Sequence, residues 1–184
     1  MYRRSPSPAT APLRQSGRTE PGACRVSGPT VSSRAEQLAH VQLFEGLTPE
    51  ALDIIAQIAT EESHAVGTKI FQHGDVGDKL YLILEGKVRI SRDVPGMGEE
   101  ALAVLGAGQV FGEMSLLDDS ARSADARVHE RCRVLAITKD AFEDLLFLHK
   151  DLAYEVLWNV VRMLSTRLRE TNEKLTFLSV SGKF

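Results

Sequence analysis

The sequence predicts a mixed, mainly β fold: a jelly-roll β-barrel flanked by N-terminal helices and a long C-terminal helix. Three observations lead there. Between about His64 and Thr138 the apolar residues recur with period two, in β-branched and aromatic runs broken every eight to twelve residues by Gly-rich turns, the spacing of a β-sandwich or jelly roll. On both sides of that region the apolar spacing is three to four residues, the period of a helix. A chain of 184 residues holds one core with flanking elements, not two large domains.

Taken in order, residues 1–34 are rich in Pro, Ser, Gly and Arg and carry six arginines against one acid, Glu20. That segment is +5 and the whole chain −3, so the remaining body is −8. Without periodic apolar positions the segment cannot offset the entropy of ordering, and it is expected to be a disordered tail. Its Arg-rich composition is that of a transit peptide, but it shows no amphipathic helix. The folded unit is expected over 35–184.

N-terminal helices are expected over 35–62. Leu38, Val41, Leu43 and Phe44 run up to a break at Gly46; Thr48 as N-cap and Pro49 at the first helical position then start a second helix. The barrel is expected over 63–139 from "TKIFQ", "KLYLILEG", "KVRISR", "ALAVLG" and "CRVLAIT", with "SRDVPGMGEEA" as a hairpin tip.

C-terminal helices follow over 140–178. Leu157, Val161, Leu164, Leu168, Thr171, Leu175 and Leu178 are spaced 4, 3, 4, 3, 4 and 3, which is a coiled-coil seam and implies a homodimer. A second stripe, Leu152, Val156, Val160 and Met163, would face the chain's own barrel. Thr171 is polar within an apolar seam, either a register device or a ligand contact.

Composition excludes several functions. No run approaches the ~20 apolar residues of a membrane span, and an acidic body does not suit a nucleic-acid duplex, so neither membrane nor direct DNA binding is expected. Cys24 and Cys132 form no metal-like or CxxC spacing and suit a reducing compartment, here the cytoplasm. His40, His64, His73, His129 and His149 are scattered, and Asp118, Asp119 and Asp125 lack the histidine partners of a two-metal hydrolytic site. No enzyme, metal or cofactor is expected.

What remains is "FGEMSLLDDSARSADARV", residues 111–128. Gly112 permits close backbone approach, and a short helix starting near Glu113 would aim free N–H groups at an anion. Arg122 supplies a fork for two phosphate oxygens, and Ser123 a hydroxyl. A carboxylate beside a phosphate must face a hydroxyl donor, and a ribose 2'-OH is one, so Glu113 turns a phosphate site into a nucleotide site.

"FGEMSLL" followed by "ARSA" resembles the phosphate-binding cassette of the cyclic-nucleotide-binding domain, the module of the catabolite activator superfamily. The likeness runs upstream through "LFEGLTPEALDIIA", "GTKIFQHGD" and "YLILEGKV" and covers about residues 38–178, with the cassette over 111–125. It implies that Gly112 and Ser115 give N–H groups to a cyclic phosphate, that Glu113 holds the 2'-OH, and that Arg122, Ser123 and the Ala124 backbone bind the exocyclic oxygens. "RLRETNEK" is similar to the base-capping part of that family's dimerisation helix. By that similarity Thr171 reads the base of its own subunit's ligand and Asn172 that of the partner's, with Arg167 nearby; Asn172 departs from the activator's serine.

The implied function is a cyclic-nucleotide sensor that signals to an unknown downstream protein through movement of its C-terminal helix. The ligand this likeness implies is cAMP, with cGMP the alternative, because serine follows the arginine where cGMP readers often have threonine. "FLSVSGKF" resembles only the hinge that precedes a helix-turn-helix domain. The alternative function is therefore a truncated activator-type transcriptional regulator acting through a longer heterodimer partner.

Overall fold

The structure is a computed structural model that describes residues 31–181. Residues 1–30 of the tail expected over 1–34, and the last three residues of the chain, lie outside the described part. Helix α1, Val31–Leu38, starts inside the segment assigned to the tail, and its Leu38 is fully buried. A 3-10 turn, Gln42–Phe44, and helix α2, Pro49–Ile58, follow. Thr48 caps α2 as expected, its hydroxyl accepting from the Ala51 N–H.

The expected helical segment to residue 62 is too long by four residues. Strand β1 occupies Thr60–His64, where "TEESH" has no apolar alternation. It is a strand because it pairs antiparallel with β6 (Asp125–Thr138), Thr60 opposite Ala136 and His64 opposite Cys132. Tertiary pairing overrides weak local preference here.

β2 (Lys69–Phe71) also pairs with β6, and β3 (Lys79–Val94) pairs with β6, β4 (Gly98–Leu105) and β5 (Val110–Phe111). All these pairings are antiparallel. "KLYLILEG" and "KVRISR", two runs in the sequence, form one strand. Gly86 joins them at φ +83, where a Cβ would stand 2.2 Å from the Arg131 carbonyl oxygen, so the β3–β6 ladder shifts register there instead of ending. The β3–β4 hairpin turns at 95–97, as expected.

The strand periodicity sorts the core into two layers. Leu80 and Leu82 of β3 and Leu135 and Ile137 of β6 pack against the helices. Tyr81, Ile83, Val134 and Ala136, on the opposite face of the same strands, fill the barrel. Both faces are buried, which is why "YLIL" reads as a continuous apolar run.

Helix α4, Lys139–Leu148, is capped by the Thr138 hydroxyl, and helix α5, Lys150–Ser181, runs three residues past the expected end. Leu152, Val156, Val160 and Met163 of α5 are buried, at roughly 1.5–3 kcal/mol for each fully buried side chain. Buried Asn159 adds a polar anchor, its amide donating to the Leu43 and Glu45 carbonyls at 3.2 and 2.8 Å. The other stripe, Leu157, Val161, Leu168 and Leu175, is exposed. The fold is a jelly roll of mainly antiparallel strands with flanking helices and a long C-terminal helix.

Candidate functional site

The segment from Gly112 to Ala124 links β5 to β6. Helix α3 (Met114–Leu117) begins directly after Glu113, as the sequence implies. Gly112 has φ +77, and a Cβ there would stand 2.6 Å from Arg122 Nη1, 3.2 Å from the Lys79 carbonyl oxygen and 3.3 Å from Phe71 Cε1. Only glycine allows the backbone this close to the guanidinium.

Arg122 is 2% exposed. Its Nη1 donates to the Gly112 carbonyl at 2.8 Å and its Nη2 to the Lys79 carbonyl at 2.7 Å. The guanidinium lies 4.2 Å over the Phe71 ring, and Asp78 Oδ1 is 3.6 Å from Nη2. Of the five N–H donors two are used in these bonds, and Nε is buried without a partner among the described residues. Burial pushes the arginine's pKa down, opposed by the surrounding Tyr81, Asp78, Asp75 and Glu113. The backbone holds the residue as well, Arg122 N–H donating to the Asp75 carbonyl and its own carbonyl accepting from Gly74 N–H.

Glu113 is 3% exposed and does not pair with Arg122. Its carboxylate takes a charge-assisted bond from Arg167 of α5, whose Nη2 also donates to the Val110 carbonyl at 2.6 Å. A side chain of the long helix thus closes on the acidic group of the cassette.

Gly112, Glu113, Ser115, Arg122, Ser123, Ala124 and Arg167 line one cavity of about 80 Å³. Ser115 and Ala124 are buried, while exposed Ser123 points its hydroxyl at Met114 Sδ, 3.9 Å away. The structure does not bring Thr171 or Asn172 into this cavity. Thr171 Oγ1 donates to the Arg167 carbonyl one helical turn back, and Asn172 is exposed. Phe71, Ile90, Leu105, Phe111 and Met114 also line the space and were missed by motif reasoning. An aromatic in "TKIFQ" reads as core, and only the fold places it beneath the arginine.

Chemically, the site offers a buried cation with free donors at one end and a carboxylate acceptor at the other, inside an apolar barrel. Among the described residues no group of three or more His, Cys, Asp or Glu is placed to hold a metal ion, and no helix is long and apolar enough to cross a membrane.

Comparison with known proteins gives the family: residues 61–149 match the cyclic nucleotide-binding domain model. The chain is 42% identical over 137 residues to the cyclic AMP receptor protein of Thermus thermophilus, covering 74% of this chain and 62% of that one. It is 30% identical over 151 residues to a CRP-like cAMP-activated global transcriptional regulator of Mycobacterium tuberculosis, 80% of this chain and 66% of that one. It superposes with a TM-score of 0.63 and 33% identity on the N-terminal domain of a transcriptional regulator from Streptomyces coelicolor, covering 75% of this chain and 94% of that structure. The chain belongs to the cyclic nucleotide-binding domain family, a family of regulatory domains of which some are fused to enzymes. It spans slightly less than two thirds of the length of the two full-length relatives.

Proposed function

We propose that the chain is a cAMP sensor whose C-terminal helix reseats when the nucleotide enters. The buried, partly unspent guanidinium of Arg122 carries this reading, because it supplies fixed donors for an anion in a site screened from water. Gly112, Ser115, Ser123 and Ala124 would complete the phosphate contacts, and Glu113 would accept from the ribose 2'-OH. The likeness to the cyclic AMP receptor protein and to the cAMP-activated regulator favours cAMP over cGMP, as does serine at 123.

A cavity of about 80 Å³ is below the roughly 300 Å³ at which small-molecule pockets begin. On this reading the nucleotide enlarges the site by displacing Arg167 from Glu113, and that displacement couples the ligand to α5. Differential contact of this kind shifts a population between helix positions. Thr171 and Asn172, one turn beyond Arg167, would then meet the base. The exposed stripe Leu157, Val161, Leu168 and Leu175 favours a homodimer through α5, acting in the cytoplasm on a downstream protein.

Calorimetric titration of cAMP and cGMP into the wild type and Arg122→Ala tests the assignment. The variant should bind at least about 30-fold more weakly, the loss of ~2 kcal/mol of charge-assisted bonding. Equal affinity in a folded variant would remove the proposal. A second reading follows from the transcriptional regulators among the relatives: the chain pairs with a transcriptional regulator of the same family through the same stripe. It requires a mixed dimer in co-purification.

A further inference from the structure

Lys139 sits where β6 ends and α4 begins, outside the nucleotide cavity, yet it is tied twice to the segments that shape it. Its backbone N–H donates to the Asp78 carbonyl at 2.8 Å, and the Asp78 carboxylate faces Arg122. Its ammonium pairs with Asp119, in the loop between α3 and Arg122, and stands 3.7 Å from Glu143. Asp119 has φ +58 and is the one non-glycine residue with positive φ among the described residues. Left-handed backbone is unfavourable for any residue with a Cβ, though Asp tolerates it better than most.

The loop is anchored at its two ends, by the Asp118 N–H on the Met114 carbonyl and by the backbone bonds of Arg122 to Asp75 and Gly74, so the residues between depend on local contacts. On its outer side lies an open cavity of about 510 Å³ bordered by Ser115, Asp119, Ser120, Ala121, Lys139 and Asp140. Within the loop, Asp118 Oδ1 accepts from the Ser120 N–H at 3.0 Å. Asp119 itself is fixed by the lysine.

We propose that Lys139 is a positioning residue for the anion pocket: it holds Asp119 in the left-handed turn that delivers Arg122 to the cavity. The inference rests on the nucleotide-binding reading above. Lys139 acts through Asp119 and touches no ligand. If the loop leaves this shape for part of the time, apparent affinity falls by the fraction of molecules with Arg122 in place.

The test uses the full chain with Lys139→Met, Asp119→Gly and the double variant, followed by stopped-flow binding of cAMP and by hydrogen exchange of amides 118–122. Lys139→Met should slow association about three- to fivefold, the scale of one well-formed exposed ion pair, with dissociation little changed. Its exchange at 118–122 should be faster, without or with nucleotide. In the Asp119→Gly background, where glycine adopts that φ untethered, Lys139→Met should add no further effect. Wild-type association by Lys139→Met, or an undiminished defect in the glycine background, would overturn the proposal. If the wild type bound neither cAMP nor cGMP the ligand assignment would fall. Unchanged exchange at 118–122 in Lys139→Met would separately refute the positioning role.

Discussion

Replacing Arg167 by Met keeps the length and apolar stem of the side chain and removes the guanidinium that joins α5 to the cassette. Two bonds are lost, to the Glu113 carboxylate and to the Val110 carbonyl. Hydrogen bonds to charged groups contribute about 1.5–3 kcal/mol each. The arginine side chain is about one-third exposed, so water recovers part of that, and the Glu113 carboxylate is left buried without its ion-pair partner. A net cost of about 2 kcal/mol follows, which for a domain of this size lowers Tm by roughly 4–8 °C.

The assay is urea and thermal unfolding of wild type, Arg167→Met, Glu113→Gln and the double variant. Glu113→Gln alone costs less, because the arginine can turn to solvent. In the double variant no buried charge is stranded, so the cycle should show a coupling of about 1 kcal/mol or more. Additive effects, or an Arg167→Met as stable as the wild type, would refute the idea that this pair closes the site.

Two further substitutions probe the cassette and its flank. Gly112→Ala forces a Cβ into left-handed backbone and to 2.6 Å from Arg122 Nη1, so it should cost about 1–2 kcal/mol in urea unfolding and abolish cAMP binding in titration. Asp125 accepts from the His73 N–H at 2.7 Å and pairs with Lys69 at 3.2 Å, and these two contacts, the backbone bond first, hold its carboxyl below the usual range. A depressed folded pKa contributes stability above the unfolded value, about 3.9, and loses it as pH falls through the folded one. Asp125→Asn should therefore be less stable than the wild type at pH 7, with the gap narrowing below about pH 4; a gap constant with pH would contradict this.

The parts that were legible in the sequence share a physical signature. Thr48 could be read because an N-cap hydroxyl before Pro49 does local work. The stripe Leu152, Val156, Val160 and Met163 was legible because helix geometry alone puts those positions on one face. That Gly112, Glu113 and Arg122 lie together was legible because the three fall within eleven residues around a Gly-initiated turn, and the structure lines one cavity with them. What escaped depends on distant partners. "TEESH" becomes a strand only beside β6, and Gly86 continues β3 because the Arg131 carbonyl lies against it. Phe71 joins the site only when β2 passes under Arg122. The Glu113–Arg167 pair spans 54 residues, and no local pattern announces it.

Calorimetric titration with cAMP and with its 2'-deoxy analogue tests the central claim most directly, since one atom separates the two ligands and that atom is the one assigned to Glu113. Saturable binding of cAMP is predicted, with the deoxy form weaker by about tenfold or more, as expected for a hydrogen bond to a buried carboxylate. Equal affinities would contradict the role of Glu113, and no binding of either would contradict the nucleotide site itself.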